Sequence, residues 1–354
     1  MPEFVPGLEL ARGFYLDIVG PLLAGIRHSA ARLGEGSDVL GFDTPRSTDH
    51  GWGPRLQVFV EADDVAAVVA AIERGLPDAY RGWPVRFGWD DVPVSHHVDI
   101  DTIDGWLDRR LALPRPAAMG VVDWLATPQQ LLLEATSGEV FHDGLDELRR
   151  VRDELAWYPD QVWRWLLACQ WQRIGQEEAF VGRTAEVGDE LGSRLIVGRL
   201  ARDLMRLCFL IERRYAPYSK WLGSAFGKLA AADEVRPALE RAVEAGNVAA
   251  REAAMTEAYE AVARRHNALD LTNPVEASIR PFHGRPYLVI GASRFAEACL
   301  ATVDDPVLCS LPLVGGIDQL ADSTDMATPR AARAARGLFD AAIRVANHRD
   351  HADA

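Results

Sequence analysis

Apolar and polar positions alternate in one short stretch of the chain, RLQVFV at Arg55–Val60, and recur with a period near 3.6 over most of the remainder. Alternation with β-branched and aromatic residues predicts a strand, and EADDVAAVVAAIERGL directly after it has the acidic start and the spacing of an amphipathic helix. Upstream, residues 6–25 read as an opening helix, 28–33 as a short strand and 34–41 as a Gly-rich turn. Pro77, Gly82 and Pro84 then break the chain ahead of a third extended stretch over 94–102. Strand, helix and strand in that order predict a sheet covered by helices.

From Trp106 onward the period becomes helical. VVDWLATPQQLLLEATSG, LDELRRVRDELAWYPDQVWRWLLACQWQRIGQEEAF and EVGDELGSRLIVGRLARDLMRLCFLIERRY all carry it, as does PALERAVEAGNVAAREAAMTEAYEAVARRHN. Helices of this length with single Gly interruptions predict a bundle. RPYLVIGAS reads as a further short strand or an extended connector, and residues 329–347 as a last helix. No repeat occurs at solenoid periods. The expectation is an α+β chain with a mixed-sheet domain over 1–105 and a mainly helical domain over 106–354.

Composition narrows the function classes. With 354 residues the chain has room for about two domains at roughly 150 residues each. Its 48% hydrophobic and 25% charged content predicts a soluble globular protein. No apolar run approaches the roughly 18 residues that span a bilayer, and the first residues lack the basic start and apolar core of a signal peptide, so a cytoplasmic location is expected. Cys169, Cys208, Cys299 and Cys309 are scattered without a CxxC pair and read as packing residues. The net charge of −14 disfavours a nucleic-acid partner, whose backbone is gripped by basic fields, and leaves room for a small nucleotide held by a metal ion and local cations.

The chemistry concentrates in Gly34-Glu-Gly-Ser-Asp-Val-Leu-Gly-Phe-Asp-Thr-Pro-Arg-Ser-Thr-Asp-His-Gly-Trp-Gly-Pro-Arg55. Phosphate binding needs backbone N–H groups aimed at an anion, which requires a tight turn without Cβ atoms, and Gly36-Ser37 after a predicted strand meets that need. Nucleotidyl transfer also needs carboxylates that hold Mg²⁺ against a triphosphate, and Asp49 lies close to the next strand. His96 and His97 are adjacent strand residues, face opposite ways and do not form a chelate.

A Gly-Ser turn followed by an Asp-x-Asp pair resembles the nucleotidyltransferase superfamily. The fuller string GSDVLGFDTPRSTDHGWGPR resembles one uncharacterised bacterial branch of it, known only as a domain of unknown function. VFHDGLDELRRVRDELAWYP, WRWLLACQWQRIGQEEAFVGR, VGDELGSRLIVGRLARDLMRLCFLIERRYAPYSKWLG and RPFHGRPYLVIGASRFAEA extend the resemblance over most of the chain. It implies a nucleotidyltransferase-like mixed sheet, Mg²⁺ as cofactor, and transfer of a nucleoside monophosphate from a nucleoside triphosphate to a small hydroxyl- or amine-bearing acceptor. Gly36 and Ser37 would cradle the triphosphate and Asp49 would bind metal. Asp99 in HHVDID would supply the third carboxylate, and Asp101, on the same face of the strand, is its substitute.

One position departs from the family pattern. The second acid of Asp-x-Asp falls on Gly51, which binds no metal. Three options follow: Asp43 or Asp38 substitutes, one metal suffices, or the domain binds without catalysing. The competing reading is therefore a catalytically silent nucleotide-binding or regulatory module, and a third is a toxin–antitoxin-type partner protein. Asp99 and Asp101 also read as the solvent face of a strand.

The helical region adds Arg173, Gln176, Glu177, Glu178, Arg183, Asp189, Glu190, Arg194, Arg202, Asp203 and Arg206 on otherwise apolar helices. Asp203 lies four residues after Arg199, and Arg206 four after Arg202, so these groups read as salt-bridged helix faces or as a cleft wall. In related transferases a carboxylate of the helical domain serves as general base, and Glu177 or Glu178 is the candidate. Glu212-Arg-Arg-Tyr-Ala-Pro-Tyr-Ser-Lys-Trp221 gathers Arg213, Arg214, Tyr218 and Lys220 where a long helix ends. Lys220 and Arg214 are the candidate phosphate contacts, against the plain alternative of cations that favour a helix C-terminus. GGIDQLADSTD has no calcium-loop spacing and reads as a turn and helix cap. The sequence carries no readable sign of base preference, acceptor or oligomeric state.

Overall fold

The computed structural model describes residues 2–352 of the chain. It divides into two compact units, one comprising Met1–Met119, Leu131–Ala156 and Thr328–Arg330, the other Gly120–Gln130, Trp157–Ala327 and Ala331–Ala354.

The first unit holds a mixed sheet of five strands: β1 (His28–Arg32), β2 (Arg55–Val60), β3 (Arg86–Trp89), β4 (Val92–Asp101) and β5 (Glu139–Asp143). Their order is β3-β4-β2-β1-β5. β1 runs antiparallel to both neighbours, β3 runs antiparallel to β4, and β2 and β4 are parallel. A parallel pair needs a crossover, which the Val65–Gly75 helix supplies between β2 and β4.

Alternation along β2 decides what each face carries. Leu56, Val58 and Val60 enter the core with Leu10, Phe14, Val68, Ile72 and Val98. The other parity turns Arg55, Gln57 and Phe59 to the opposite face. Their partners in the register with β4 are His97, Asp99 and Asp101, so one face of the sheet carries a polar row.

The strands expected from alternation are present, and two more are not foreshadowed. β3 is short and contains Gly88. β5 lies inside a stretch that reads as helical, because five residues between helical segments leave little room for a period of two to show. The opening helix is broken into Gly7–Phe14, a π-turn at Tyr15–Val19 and a short Gly20–Leu22 helix. The breaker region forms a ribbon of Ala79–Tyr80 and Trp83–Pro84, with Arg81 and Gly82 both at positive φ (49° and 82°) as a tight hairpin turn requires.

The second unit is mainly helical. Its long helices include Asp160–Glu177, Glu190–Ile211 and Val248–Asn267, and most of Pro329–Ala352. Trp163, Trp165 and Trp171 of the first are fully buried. Trp163 donates its indole N–H to the Leu210 carbonyl at 2.8 Å, and Trp171 stacks on Phe295 with ring centroids 4.4 Å apart. The expected i,i+4 pairing along the Glu190–Ile211 helix gives way to bonds between elements: Arg199 pairs with Glu177, Asp203 with Arg173, and Arg202 with Asp322. RPYLVIGAS contains a strand, Arg285–Val289, paired with Arg280–Phe282. Cys169, Cys208 and Cys299 are buried, while Cys309 is exposed. Among the described residues no helix is long and apolar enough to cross a membrane.

Glu178, one of the two candidate bases, has a structural partner set. Its carboxylate accepts the backbone N–H groups of Ile290, Gly291 and Ala292 at 3.0, 3.1 and 3.0 Å, just ahead of the Ser293–Leu300 helix. Glu178→Ala leaves those donors without their acceptor and is expected to cost about 3 kcal/mol in chemical denaturation. A loss below about 1 kcal/mol would show that other acceptors take over.

Candidate functional site

The turn that follows β1 is built so that only glycine fits at Gly36. Its φ is +137°, and a Cβ there would stand 2.1 Å from Asp38 Oδ1 and 2.3 Å from Arg55 Nη2. Ser37 accepts the Phe42 N–H at 2.8 Å through its carbonyl, and its hydroxyl lies 3.4 Å from that of Ser47 in the Pro45–Asp49 3₁₀ helix. The Gly-Ser turn and the segment ending at Asp49 are thus neighbours.

Beneath the turn lies a buried three-way ion pair. Asp38, 2% exposed, accepts from Arg32 Nε at 2.7 Å, Arg32 Nη2 at 3.0 Å and Arg55 Nη2 at 3.0 Å. Both arginines also donate to the Glu35 carbonyl, at 2.7 and 3.2 Å. Burial pushes the Asp38 carboxyl up, but the two guanidiniums outweigh it and hold it at about 2. Burial and then repulsion from Arg32 bring Arg55 down to about 10, against the pull of Asp38. One carboxylate does not balance two cations, and Arg55 Nε is buried without a hydrogen-bond partner. In direct contact the turn thus sits over two guanidiniums and one carboxylate, with the Glu35 carboxylate also acting on Arg55.

The polar row of the sheet reaches the same turn. Asp99 and Asp101 share Arg109, whose Nη2 lies 3.1 and 2.7 Å from their carboxylates. Arg110 stands between the turn and the row, 4.0 Å from the Glu35 carboxylate and 3.7 Å from Asp99 Oδ2. Asp99 Oδ2 is buried and has no hydrogen-bond donor, so its charge is answered by Arg110 at ion-pair distance. Asp101 Oδ1 accepts the Thr102 N–H at 2.8 Å.

The other sequence candidates fall as follows. Asp49 is exposed at the end of its 3₁₀ helix. Gly51 has φ +58°, and a Cβ there would approach the Trp89 ring to 3.3 Å. Of the two substitutes, Asp38 is locked between its arginines, and Asp43 accepts the Gly7 N–H at 2.7 Å and the Trp52 indole N–H at 3.0 Å. His96 pairs with Glu73 and His97 with the Phe87 carbonyl. Among the described residues no group of three or more His, Cys, Asp or Glu side chains is placed to hold a metal ion.

Glu177, Arg214 and Lys220 belong to the second unit. Glu177 is ion-paired with Arg199 at 2.7 Å. Arg214 is exposed beyond Arg213, which has φ +52° and lies 4.0 Å over the Trp163 ring. Lys220 is the second residue of the Ser219–Phe226 helix, 5.0 Å from the Trp221 ring centroid.

Arg32, Arg55, Arg109 and Arg110 were not among the sequence candidates. Arg55 alone carried a signal, since it shares the polar parity of β2; the others are brought in by tertiary contacts. Residues 124–222 match a family model described as a domain of unknown function (DUF4037), a segment that begins after the first four strands. No curated relative and no solved structure matches the chain.

Asp38→Asn removes the only carboxylate between two buried guanidiniums and is expected to cost about 3–5 kcal/mol in chemical denaturation. The pH dependence has a defined sign. The folded pKa lies below the ordinary 3.8, so the contribution is full above about 3.8 and fades as pH falls toward about 2. Stability measured across that window should fall more steeply in wild type than in Asp38→Asn; parallel curves would remove Asp38 from the acid response.

Proposed function

We propose that the sheet-containing unit is a nucleotidyltransferase-type domain that binds a nucleoside triphosphate through its phosphates at the Gly36-Ser37 turn, as a nucleotide-binding module rather than a two-metal transferase. The observation that carries this reading is the charge beneath the turn, where Arg32 and Arg55 share one carboxylate. Two fixed guanidiniums behind a turn that lacks a Cβ at Gly36 favour a polyphosphate over a neutral ligand. The resemblance of the GSDVLGFDTPRSTDHGWGPR string supplies the nucleotide.

Transfer of a nucleotidyl group calls for acids that hold magnesium, and the donor set here does not fit a two-ion centre. Gly51 stands at the second acid, Asp49 is exposed, and Asp99 and Asp101 are already engaged by Arg109 and Arg110. The reading therefore routes no step through a metal. Arg110, at the junction of turn and acidic row, supplies a cation that swings between Asp99 and a bound phosphate.

Titration calorimetry with ATP, in Mg²⁺ and in EDTA, tests this. Binding is expected in both, weakened about tenfold by Arg110→Gln, with no pyrophosphate released when small alcohols and amines are offered. Binding that requires Mg²⁺ and proceeds to pyrophosphate release would replace the module by a transferase. Absence of binding by any of the four nucleoside triphosphates would remove the nucleotide from the reading.

A further inference from the structure

The second unit contains a small open cleft lined by Arg202, Arg206, the start of the Ser219–Phe226 helix and residues between Ile317 and Ala327. Gln130 lines one wall and accepts the Tyr218 N–H through its side chain at 3.1 Å, and its buried neighbour Gln129 accepts the Ala216 N–H at 2.7 Å. The charged groups facing the cleft are two arginines and two aspartates. Arg202 and Asp322 are bonded to each other, and Asp318 accepts the Gln129 N–H at 2.8 Å.

Arg206 is the unmatched member. Among the described residues no carboxylate lies within ion-pair distance of it. Its Nη1 donates to the Asp318 carbonyl at 2.7 Å, and its buried Nε has no partner. Burial lowers its pKa from the ordinary value, with Asp318 opposing. The Asp318, Asp203 and Asp322 carboxylates act on this guanidinium electrostatically without reaching ion-pair contact, which leaves it able to take a directly bonded anion. The cleft supplies the other donors that an oxyanion uses. The Ser219–Phe226 helix starts there without a side-chain cap, and the Ser219, Ser323 and Thr324 hydroxyls line the same space.

We propose that this cleft binds the phosphate or carboxylate group of a small molecule, with Arg206 as its principal cation and the start of the Ser219–Phe226 helix as its second donor. The site lies wholly within the second unit and is independent of the nucleotide reading. Six of its residues, Pro128, Gln130, Arg202, Arg206, Tyr218 and Ser219, fall in the segment that the family model matches.

The test uses the full chain and inorganic phosphate, with acetate and chloride at matched ionic strength, followed by calorimetry and thermal unfolding. Saturable binding of phosphate or acetate beyond chloride is expected, and the stronger of the two tells whether the natural group is a phosphate or a carboxylate. Arg206→Gln should weaken that binding at least about tenfold. Ser219→Glu places a carboxylate at the mouth of the cleft and should abolish it while leaving the helical circular dichroism unchanged, which keeps the test decisive if Arg206→Gln fails to fold. Arg110→Gln, in the first unit, should leave it intact. Binding no stronger than chloride, or anion binding unaffected by Ser219→Glu, would overturn the proposal. Phosphate binding lost in Arg110→Gln but kept in Ser219→Glu would assign the anion to the turn instead, and overturns this proposal while sparing the nucleotide reading.

Discussion

Arg32, Asp38 and Arg55 form a largely buried cluster of two cations and one anion, with a tenth of the Arg55 side chain open to water. Arg32 ends β1, Asp38 lies in the Gly-rich turn and Arg55 opens β2, so the cluster ties the turn to the ends of two paired strands. Burying such charges is rarely a gain in stability over apolar packing, because desolvation offsets most of the attraction. What it provides is a unique arrangement. Gly36 has to be glycine because the cluster occupies the space a side chain would need. The Glu35 carbonyl has to point inward, toward both guanidiniums. The turn's shape is a consequence of the charges below it.

The same logic runs through the rest of the chain. The net charge is −14, yet the carboxylates of interest are each met by an arginine from another element: Asp99 and Asp101 by Arg109, Glu177 by Arg199, Asp203 by Arg173, Asp322 by Arg202. Global charge thus says little about the local field. Beneath the Gly36 turn two arginines contact a single carboxylate, and among the described residues no carboxylate stands within ion-pair distance of Arg206. Under the readings proposed above, such a place would attract an anion by short-range contact rather than by long-range steering, since the surrounding acids oppose it at a distance.

The parts of this architecture that could be read from the chain are those written locally. The alternation of β2, the helix after it and the long helices beyond residue 157 are legible because each buries its own periodic face. Gly36 was legible as a turn glycine. The polar groups of the Glu190–Ile211 helix were legible as paired, but their partners were not, because i,i+4 spacing suggests a neighbour on the same helix whereas packing brought Glu177, Arg173 and Asp322 closer. β5 was hidden for a different reason: five residues are too few for a period of two to outweigh the helical segments around them. The arginines around Asp99 were not legible at all, since Arg109 and Arg110 sit in a helical turn whose position depends on the whole sheet.

Gly51 sits where the surrounding packing leaves little room for an acidic side chain. Asp accepts a left-handed backbone better than most residues, so φ of +58° is not by itself a barrier. The obstacle is the Trp89 ring, 3.3 Å from where the new Cβ would stand. An acid at this position would have to move the indole before it could reach any ion. On the other side of the turn, Arg109 and Arg110 occupy the space in front of Asp99 and Asp101. Under the nucleotide reading proposed above, the half-exposed Arg110 is the cation that a phosphate at the turn would meet, because Arg32 is sealed beneath it; an anion held this way would need no metal ion to bridge it to the acidic row.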